Sequence, residues 1–268
     1  MNQRTIAALT VLVFSLCPSE LLFGSEKIEF WESPRKGANC FNAVPEEQWF
    51  QAARELGVEW VRLAYEKWDG EKRDFLMGDA DNFSALVKED LNSLIQALDW
   101  AQEYEIKVVI TPLSLPGNRW SQNNDDRDDL RLWNDKAYWE QATRFWTELA
   151  GSLRNHPAVY AYNLINEPTP EKGTGLAEHG PVSRYEKWYA DYRGTSHDLP
   201  AFYAKVIKAI RRIDPMTPIM LDAGWYAQPA AFTYWPQMDD SKLLYSFHLY
   251  EPYSFTSASN FREERKLS

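Results

Sequence analysis

Short apolar runs alternate with longer segments of helical period from Lys36 onward. The runs are apolar on successive positions, which indicates strands covered on both faces. Strands that alternate with helices in this way predict a parallel sheet with crossover helices, and therefore an α/β fold. We count six predicted strands: Gly37–Cys40, Val58–Tyr65, Ile106–Thr111, Val159–Ile165, Ile219–Asp222 and Leu243–Leu249.

The segments between the strands carry apolar stripes at helical spacing. Gly57 marks the end of the first helix, and Asp198 is placed to cap the last. Aromatic residues in the stripes are expected to be core. The stripes are Trp49, Ala52, Ala53 and Leu56; Leu91, Leu94, Ile95 and Leu98; Tyr138, Ala142, Phe145, Leu149 and Leu153; and Phe202, Val206, Ile207 and Ile210.

Three long segments without a predicted strand follow strands two, three and four. They are 66–84, 113–134 and 168–197. Long loops at the carboxyl ends of parallel strands are typical of the functional face of a (β/α)8 barrel. The second loop contains an acidic run, 123–129, that lacks the glycine and terminal glutamate of a calcium loop, so we interpret it as a solvated acidic face.

The first 25 residues have the pattern of a secretory leader. Arg4 precedes an uncharged run, Ile6–Leu16, that is shorter than the roughly 20 residues needed to span a bilayer. The pattern predicts a signal peptide over 1–25, a secreted or periplasmic protein over 26–268, and no membrane association after cleavage. An uncleaved anchor and lipidation of Cys17 are alternatives. Cleavage would leave Cys40 without a partner for an internal disulfide.

Charge and composition narrow the range of partners. Lys and Arg total 29 against 39 Asp and Glu, giving a net charge of -10, which repels nucleic acid and anionic lipid. Aromatic residues make up 15% of the chain, which is enough to expect some of them at a binding surface. The sequence shows no metal motif, phosphate loop or dinucleotide fingerprint, so we expect no cofactor. We also expect a monomer.

The end of strand four combines groups suited to acid catalysis. Asn166 and Glu167 lie side by side where an apolar strand opens into a loop. A glutamate at the rim of an apolar cleft can stay protonated and give its proton to a leaving oxygen. Pro168 excludes Glu167 from the right-handed helical conformation. Taken alone, this tripeptide is equally typical of a turn that caps the next helix.

In this setting the chain resembles glycoside hydrolase family 5, the cellulase family, from about Lys36 to Tyr253. The matching motifs are Asn166-Glu167-Pro168, Gly37-Ala38-Asn39, Val61-Arg62-Leu63 and His248-Leu249-Tyr250. The resemblance implies a (β/α)8 barrel in which Glu167 is the general acid/base and Asn166 binds the sugar 2-hydroxyl. It also implies that Arg62, His248 and Tyr250 line the reacting subsite.

Other interpretations of these residues remain open. Arg62 could instead form a structural salt bridge with another carboxylate. His248 could instead be a hydrogen-bonded residue of the core. Trp225 and Tyr226, just beyond strand five, are candidate sugar platforms, because aromatic faces stack on pyranose rings. Further candidates, which could equally pack beneath their loops, are Trp120, Trp188 and Tyr189.

The chain departs from the family pattern in two places. The family usually has a histidine just past strand three, where this chain has Leu113 and Ser114, which suggests a different sugar preference. The family's nucleophile is a glutamate that ends strand seven, whereas the sequence stops at Ser268, soon after strand six. We therefore expect about six βα units, a barrel incomplete at its C-terminus, and a nucleophile beyond residue 268.

A second carboxylate is needed at about 5–5.5 Å for retention or roughly 6.5–9.5 Å for inversion. Asp222 and Glu66 end strands five and two and are the upstream alternatives. The carboxylates past His248 lie in unsuitable settings; they are Glu251, Glu263 and Glu264.

The resemblance implies hydrolysis of O-glycosidic bonds in β-linked polysaccharides, β-glucan or mannan, by a retaining double displacement with water as the co-substrate. The missing carboxylate leaves two alternatives: an inactive carbohydrate-binding remnant, or a truncated product that aggregates through unpaired strand edges.

Overall fold

The computed structural model describes residues 26–40, 45–65, 74–178 and 180–250. The predicted leader and four carboxylates weighed above, Glu66, Glu251, Glu263 and Glu264, lie outside the described residues.

A six-stranded parallel sheet forms the centre of the described chain, and its strands are ordered as they occur in the sequence. The predicted α/β class is confirmed, and each predicted strand contains an observed one. The sixth is shorter than predicted, because its pairing with the fifth ends at Ser246. The strands are β1 Gly37–Cys40, β2 Trp60–Leu63, β3 Lys107–Ile110, β4 Val159–Asn163, β5 Ile219–Asp222 and β6 Leu243–Ser246.

Helices cover one face of the sheet. They are α1 Glu47–Glu55, α2 Lys88–Glu103, α3 Arg131–Asn134, α4 Lys136–Leu153, α5 Val182–Tyr192 and α6 Leu199–Arg211. Short 3-10 helices occupy Phe30–Glu32, Ser121–Asn123 and Pro229–Tyr234. Helices α4 and α6 pack together through Trp139 and Phe202, whose ring centroids are 5.6 Å apart.

The sequence signals for helix ends are confirmed. Gly57 follows α1 with a φ of 74°, which glycine adopts without a steric penalty, and its N–H donates to the Arg54 carbonyl. The Asp198 carboxylate accepts the Ala201 N–H at 3.0 Å and caps α6.

The buried face of α1 differs from the apolar stripe that the sequence predicted for this helix. Phe50 and Ala53 are the buried residues of this helix, whereas Leu56 is 71% exposed. The nine-residue helix ends at Glu55, so Leu56 is already its C-cap and points away from the core.

Helix α5 lies within the segment predicted as a long loop. It buries Tyr185, Trp188 and Tyr189, and the rings of Tyr185 and Tyr189 lie against Tyr234 of the last 3-10 helix. Trp188 and Tyr189 therefore pack beneath the loop, which was one of the two roles considered for them.

The two faces of the sheet are chemically different. Odd and even positions of a strand point to opposite faces. Val108 and Ile110 join the large core under the helices, while Val109 packs with Ala161 and Met220 in a second, smaller cluster. Arg62, Asn163 and Asp222 follow the spacing of this second cluster, so polar groups lie on the inner face at the carboxyl ends of the strands.

The described sheet ends at β1 on one side and β6 on the other. Residues at and beyond β6 expose apolar side chains, namely Tyr245, Phe247, Leu249 and Tyr250. In the part of the chain that the structure covers, none of the helices combines the length and apolar character needed to cross a bilayer.

Candidate active site

Glu167 and His248 meet at the carboxyl ends of β4 and β6. The His248 Nδ1 atom lies 2.7 Å from Glu167 Oε1, which is hydrogen-bonding distance. The Glu167 side chain is 15% exposed and the His248 side chain is 13% exposed. The predicted acid is thus partly accessible and held from one side by the predicted histidine.

The backbone of Glu167 is fixed in an uncommon conformation. Its φ is 48°, in the left-handed region, whereas the following proline by itself disfavours only the right-handed helical conformation. The Glu167 N–H donates to Asp222 Oδ2 at 3.1 Å, and the Asn166 N–H donates to the Pro112 carbonyl at 2.9 Å. Neighbouring strands therefore anchor the turn that carries the carboxyl group.

Arg62 connects the amides of β4 with the acid of β5. Its Nη2 donates to Asn163 Oδ1 at 2.6 Å and to Asn166 Oδ1 at 3.0 Å, and lies 3.4 Å from Asp222 Oδ2. Arg62 therefore makes the structural salt bridge that was one of the two roles considered for it, and it also borders a cavity. The Arg62 Nε atom is buried and finds no hydrogen-bond partner among the residues that the structure describes.

Asp222 is the centre of this polar cluster. Its side chain is fully buried; Oδ1 accepts from Asn163 Nδ2 at 3.0 Å, and Oδ2 lies 3.6 Å from His248 Nε2. The main-chain oxygen accepts the Tyr203 hydroxyl at 2.9 Å. A carboxylate with no accessible surface cannot attack a sugar, so the geometry makes Asp222 an anchor and not a substitute nucleophile.

A left-handed turn follows β5. Trp225, Tyr226 and Ala227 have φ values of 46°, 60° and 64°. Non-glycine residues in this region cost on the order of 1–3 kcal/mol each and persist only where neighbours hold them. Tyr226 donates its N–H to the Pro168 carbonyl at 3.4 Å, and the Ala227 carbonyl accepts the His248 N–H at 3.0 Å.

The turn presents the two predicted platforms differently. Trp225 is only 8% exposed, which leaves little of its ring for a sugar to stack on. Tyr226 is partly buried, and its hydroxyl accepts from Lys172 Nζ at 3.1 Å. Tyr226 is therefore the better placed of the two to contact a ligand.

No sequence pattern pointed to Glu171, which lies directly behind the turn. Its Oε2 atom accepts the Trp225 N–H at 3.0 Å. Burial raises the pKa of this carboxyl group to about 7, while hydrogen bonds from its own and the Trp225 backbone oppose the shift.

A cavity of about 400 Å³ lies between β1 and the segment after β6. It is lined by Asn39, Trp60, Arg62, His248 and Tyr250, among other residues of these segments. The Tyr250 ring is half-exposed and meets the His248 ring edge-on, with centroids 6.4 Å apart. Three of the predicted subsite residues, Arg62, His248 and Tyr250, therefore border one space.

The loop after β3 contacts the site through the Pro112 carbonyl, which accepts the Asn166 N–H. Leu113 and Ser114, which replace the expected histidine, are buried, and Ser114 Oγ accepts the Trp120 N–H at 2.9 Å. In the acidic run, Asp129 binds the Arg131 guanidinium and the Arg119 N–H.

Among the described residues, no three His, Cys, Asp or Glu side chains are grouped to hold a metal ion.

A parallel sheet with a glutamate at the end of its fourth strand, a histidine beyond its sixth and an arginine–asparagine pair between them is the architecture of barrel glycosidases. The model of the cellulase family, glycosyl hydrolase family 5, matches residues 25–267. The chain belongs to this family.

Characterised relatives are distant. Endoglucanase C of Acetivibrio thermocellus is 24% identical over 217 residues, which cover 81% of this chain and 53% of that protein. A beta-xylosidase of Phanerodontia chrysosporium is 25% identical over 240 residues, covering 88% of this chain and 42% of its own length. The chain thus spans about half the length of these curated relatives.

Solved structures support the same fold. Endoglucanase Cel5A of Thermotoga maritima superposes with a TM-score of 0.60 at 16% identity, covering 88% of this chain and 65% of that one. A further endoglucanase gives a TM-score of 0.61 at 18% identity, with 87% and 66% covered. The expected fold, a barrel of the family 5 type with about six βα units in this chain, is confirmed.

Proposed function

We propose that the protein hydrolyses O-glycosidic bonds in a β-linked polysaccharide, with Glu167 as the general acid/base of a retaining double displacement. The observation that carries this proposal is the contact between Glu167 Oε1 and His248 Nδ1 at the carboxyl ends of β4 and β6. Membership of the cellulase family supports it.

The cluster accounts for how Glu167 would work. With a proton on Nδ1, His248 donates to Oε1 and leaves Oε2 to carry the acidic proton to the leaving oxygen. Arg62 binds the Asn166 amide oxygen, so the amide NH2 group is the donor that would meet a sugar 2-hydroxyl. Tyr250 and Tyr226 would contact neighbouring sugar rings.

The second carboxylate of the reaction is proposed to come from sequence that follows residue 268. Asp222 is fully buried, and the cavity bounded by β1 and the segment after β6 lies beside Arg62 and His248. A further strand ending in a glutamate would enter this space. The relatives are about twice as long as the matched segment, which gives room for such a strand.

The remaining expectations belong to the same proposal. Export by the predicted leader would bring the protein to its polymeric substrate outside the cytoplasm. An overall charge of -10 suits a neutral polysaccharide better than a polyanion. β-Glucan and mannan are the candidate substrates, and water is the co-substrate.

The test uses the chain as given and also the chain continued through the coding sequence after codon 268. We expect the longer protein to release sugars from a β-glycan panel and Glu167→Ala to remove that activity. On an aryl β-glycoside, whose leaving group departs without a proton, azide should then restore turnover of Glu167→Ala and yield a β-glycosyl azide, because an anionic nucleophile can open the glycosyl-enzyme without a general base. A Glu186→Ala variant, altered at an exposed residue of α5, is the matched control.

Loss without azide rescue would contradict the acid/base role of Glu167. An α-configured azide product would contradict retention.

The burial of Asp222 also supports a second candidate, in which the chain binds saccharides without cleaving them. Titration calorimetry would then show that the 268-residue chain binds cellotetraose and mannotetraose. Neither this chain nor the longer protein would hydrolyse them.

A further inference from the structure

We propose that Glu171 is a positioning residue whose buried carboxyl group clamps the left-handed turn Gly224–Ala227, and through it Tyr226 and His248. The role in sugar recognition rests on the proposed function. The clamp itself is a property of the fold.

The first step of the argument is the contact between Glu171 and the turn. Glu171 Oε2 accepts the Trp225 N–H at 3.0 Å. Gly224 packs against the same carboxyl group so closely that a Cβ atom at this position would overlap it. Glu171 thus fills the space behind the turn and binds the amide that opens its left-handed part.

The second step is the link from the turn to the acid. The Ala227 carbonyl accepts the His248 N–H at 3.0 Å, and His248 Nδ1 lies 2.7 Å from Glu167 Oε1. The Tyr226 N–H also meets the carbonyl of Pro168, the residue after Glu167. A displaced turn would therefore move His248 relative to Glu167.

The third step is the cost of the turn. Three consecutive non-glycine residues have positive φ, and L-residues adopt this region only under constraint. The constraint comes from one side through Glu171 and Pro168, and from the other through His248. Removing the Glu171 carboxyl group deletes one of these anchors.

The clamp should also respond to pH. The titratable groups that face Glu171 are phenols: Tyr185 from α5, Tyr203 from α6 and Tyr234 from the last 3-10 helix. Lys172, the next residue in sequence, binds Asp128 and the Tyr226 hydroxyl. Because neutral phenols surround it, an ionised Glu171 favours opening of the turn, and this opening increases as the pH rises past about 7.

The experiment is amide hydrogen exchange of the full 268-residue chain at residues 223–228 and 245–250. We compare Glu171→Ala, Glu171→Gln and the exposed-site control Glu186→Ala. In the alanine variant, the Trp225 and His248 amides should exchange at least ten-fold faster, with α2 and α4 unchanged. The glutamine variant keeps an acceptor oxygen and should stay within two-fold of the parent at pH 6.

A second measurement does not depend on the alanine variant folding. From pH 6 to pH 8, after correction for the intrinsic rise in exchange, protection of these amides should fall in the parent and stay constant in Glu171→Gln. Unchanged protection in Glu171→Ala, uniform loss across the sheet, or identical pH profiles for parent and glutamine variant would each overturn the proposal.

Measured affinities for cellotetraose and mannotetraose test the role of Glu171 in sugar recognition separately from its role as a clamp. With a working site, Glu171→Ala should weaken binding at least ten-fold while Glu171→Gln retains it at pH 6. Unchanged affinity in the alanine variant would overturn the role in recognition. If no version binds either sugar, the proposed function fails, and the exchange data still decide whether Glu171 clamps the turn.

Discussion

Asp222 accepts the backbone N–H of Glu167 at 3.1 Å, so β5 holds the residue that carries the candidate acid of β4. The same carboxylate accepts a hydrogen bond from Asn163 Nδ2, and its Oδ2 atom lies 3.4 Å from Arg62 Nη2. One buried side chain thereby fixes three groups that come from β2, β4 and the turn after β4.

We predict that Asp222→Asn lowers the free energy of unfolding by about 3–5 kcal/mol, because it removes one partner of a buried ion pair. In a hydrolytically competent chain it should also lower kcat roughly 100-fold by displacing Glu167. Urea denaturation and initial rates check the two effects.

Asp191→Asn is the control for this prediction. Asp191 forms an exposed pair with Lys187, one turn earlier on α5, and pairs of this kind contribute only about 0.3–0.5 kcal/mol. Equal losses in the two variants would contradict the anchoring role of Asp222.

The raised pKa of Glu171 makes stability depend on pH. The pKa is about 7 in the folded state against an ordinary value of 4.5, so the folded state binds this proton more tightly than the unfolded state does. The contribution is fully present below pH 4.5 and is lost as the pH rises to about 7. Its size is on the order of 3 kcal/mol.

We predict that this loss disappears in Glu171→Gln. Denaturant unfolding of the parent and the variant at pH 5, 6, 7 and 8 gives the difference between them at each pH. As the pH rises, the free energy of unfolding of the parent should fall relative to that of Glu171→Gln. The corresponding difference between the parent and Glu186→Gln should not change with pH. Parallel curves for the parent and Glu171→Gln would contradict the shift.

Lys27 shows the opposite dependence. It is buried, its Nζ atom donates to Thr217 Oγ1 at 3.0 Å, and burial lowers its pKa to about 8, against the opposing charge of Asp214. The folded state binds this proton less tightly than the unfolded state, whose value is 10.5. The destabilisation is therefore complete below pH 8 and is relieved as the pH rises to about 10.5.

Lys27→Met removes this titration while keeping an unbranched side chain. We expect the stability of the parent, relative to Lys27→Met, to increase between pH 8 and pH 10.5 by roughly 3 kcal/mol. Thermal unfolding across this range checks it, with the exposed Lys187→Met as control. A constant difference would show that Lys27 titrates normally in the folded protein.

The sequence predicted the strands well because buried parallel strands are continuous apolar runs, and this signal is local. The family resemblance, and not the apolar pattern, implied that Arg62, Glu167 and His248 would lie together. These predictions needed only the order of the elements and the family resemblance.

The parts that could not be predicted depend on contacts distant in sequence. Gly224 is followed by three residues with no intrinsic preference for positive φ, so the left-handed turn leaves no trace in the pattern. Glu171 reads as a loop carboxylate until the turn folds over it. Trp225 looked like a sugar platform because exposure was inferred from its position just beyond β5, whereas the turn rotates its ring inward.

The close packing of Gly224 on Glu171 leads to a prediction that depends on both residues. A methyl group at position 224 would overlap the Glu171 carboxyl group, so Gly224→Ala should lower the free energy of unfolding by about 1–3 kcal/mol. In a Glu171→Ala background the obstructing atoms are absent, and the same substitution should cost less than about 0.5 kcal/mol. A double-mutant cycle by urea denaturation measures the coupling directly. Additive effects would mean that the glycine is required for another reason, and the carboxyl group would then not be what packs against the turn.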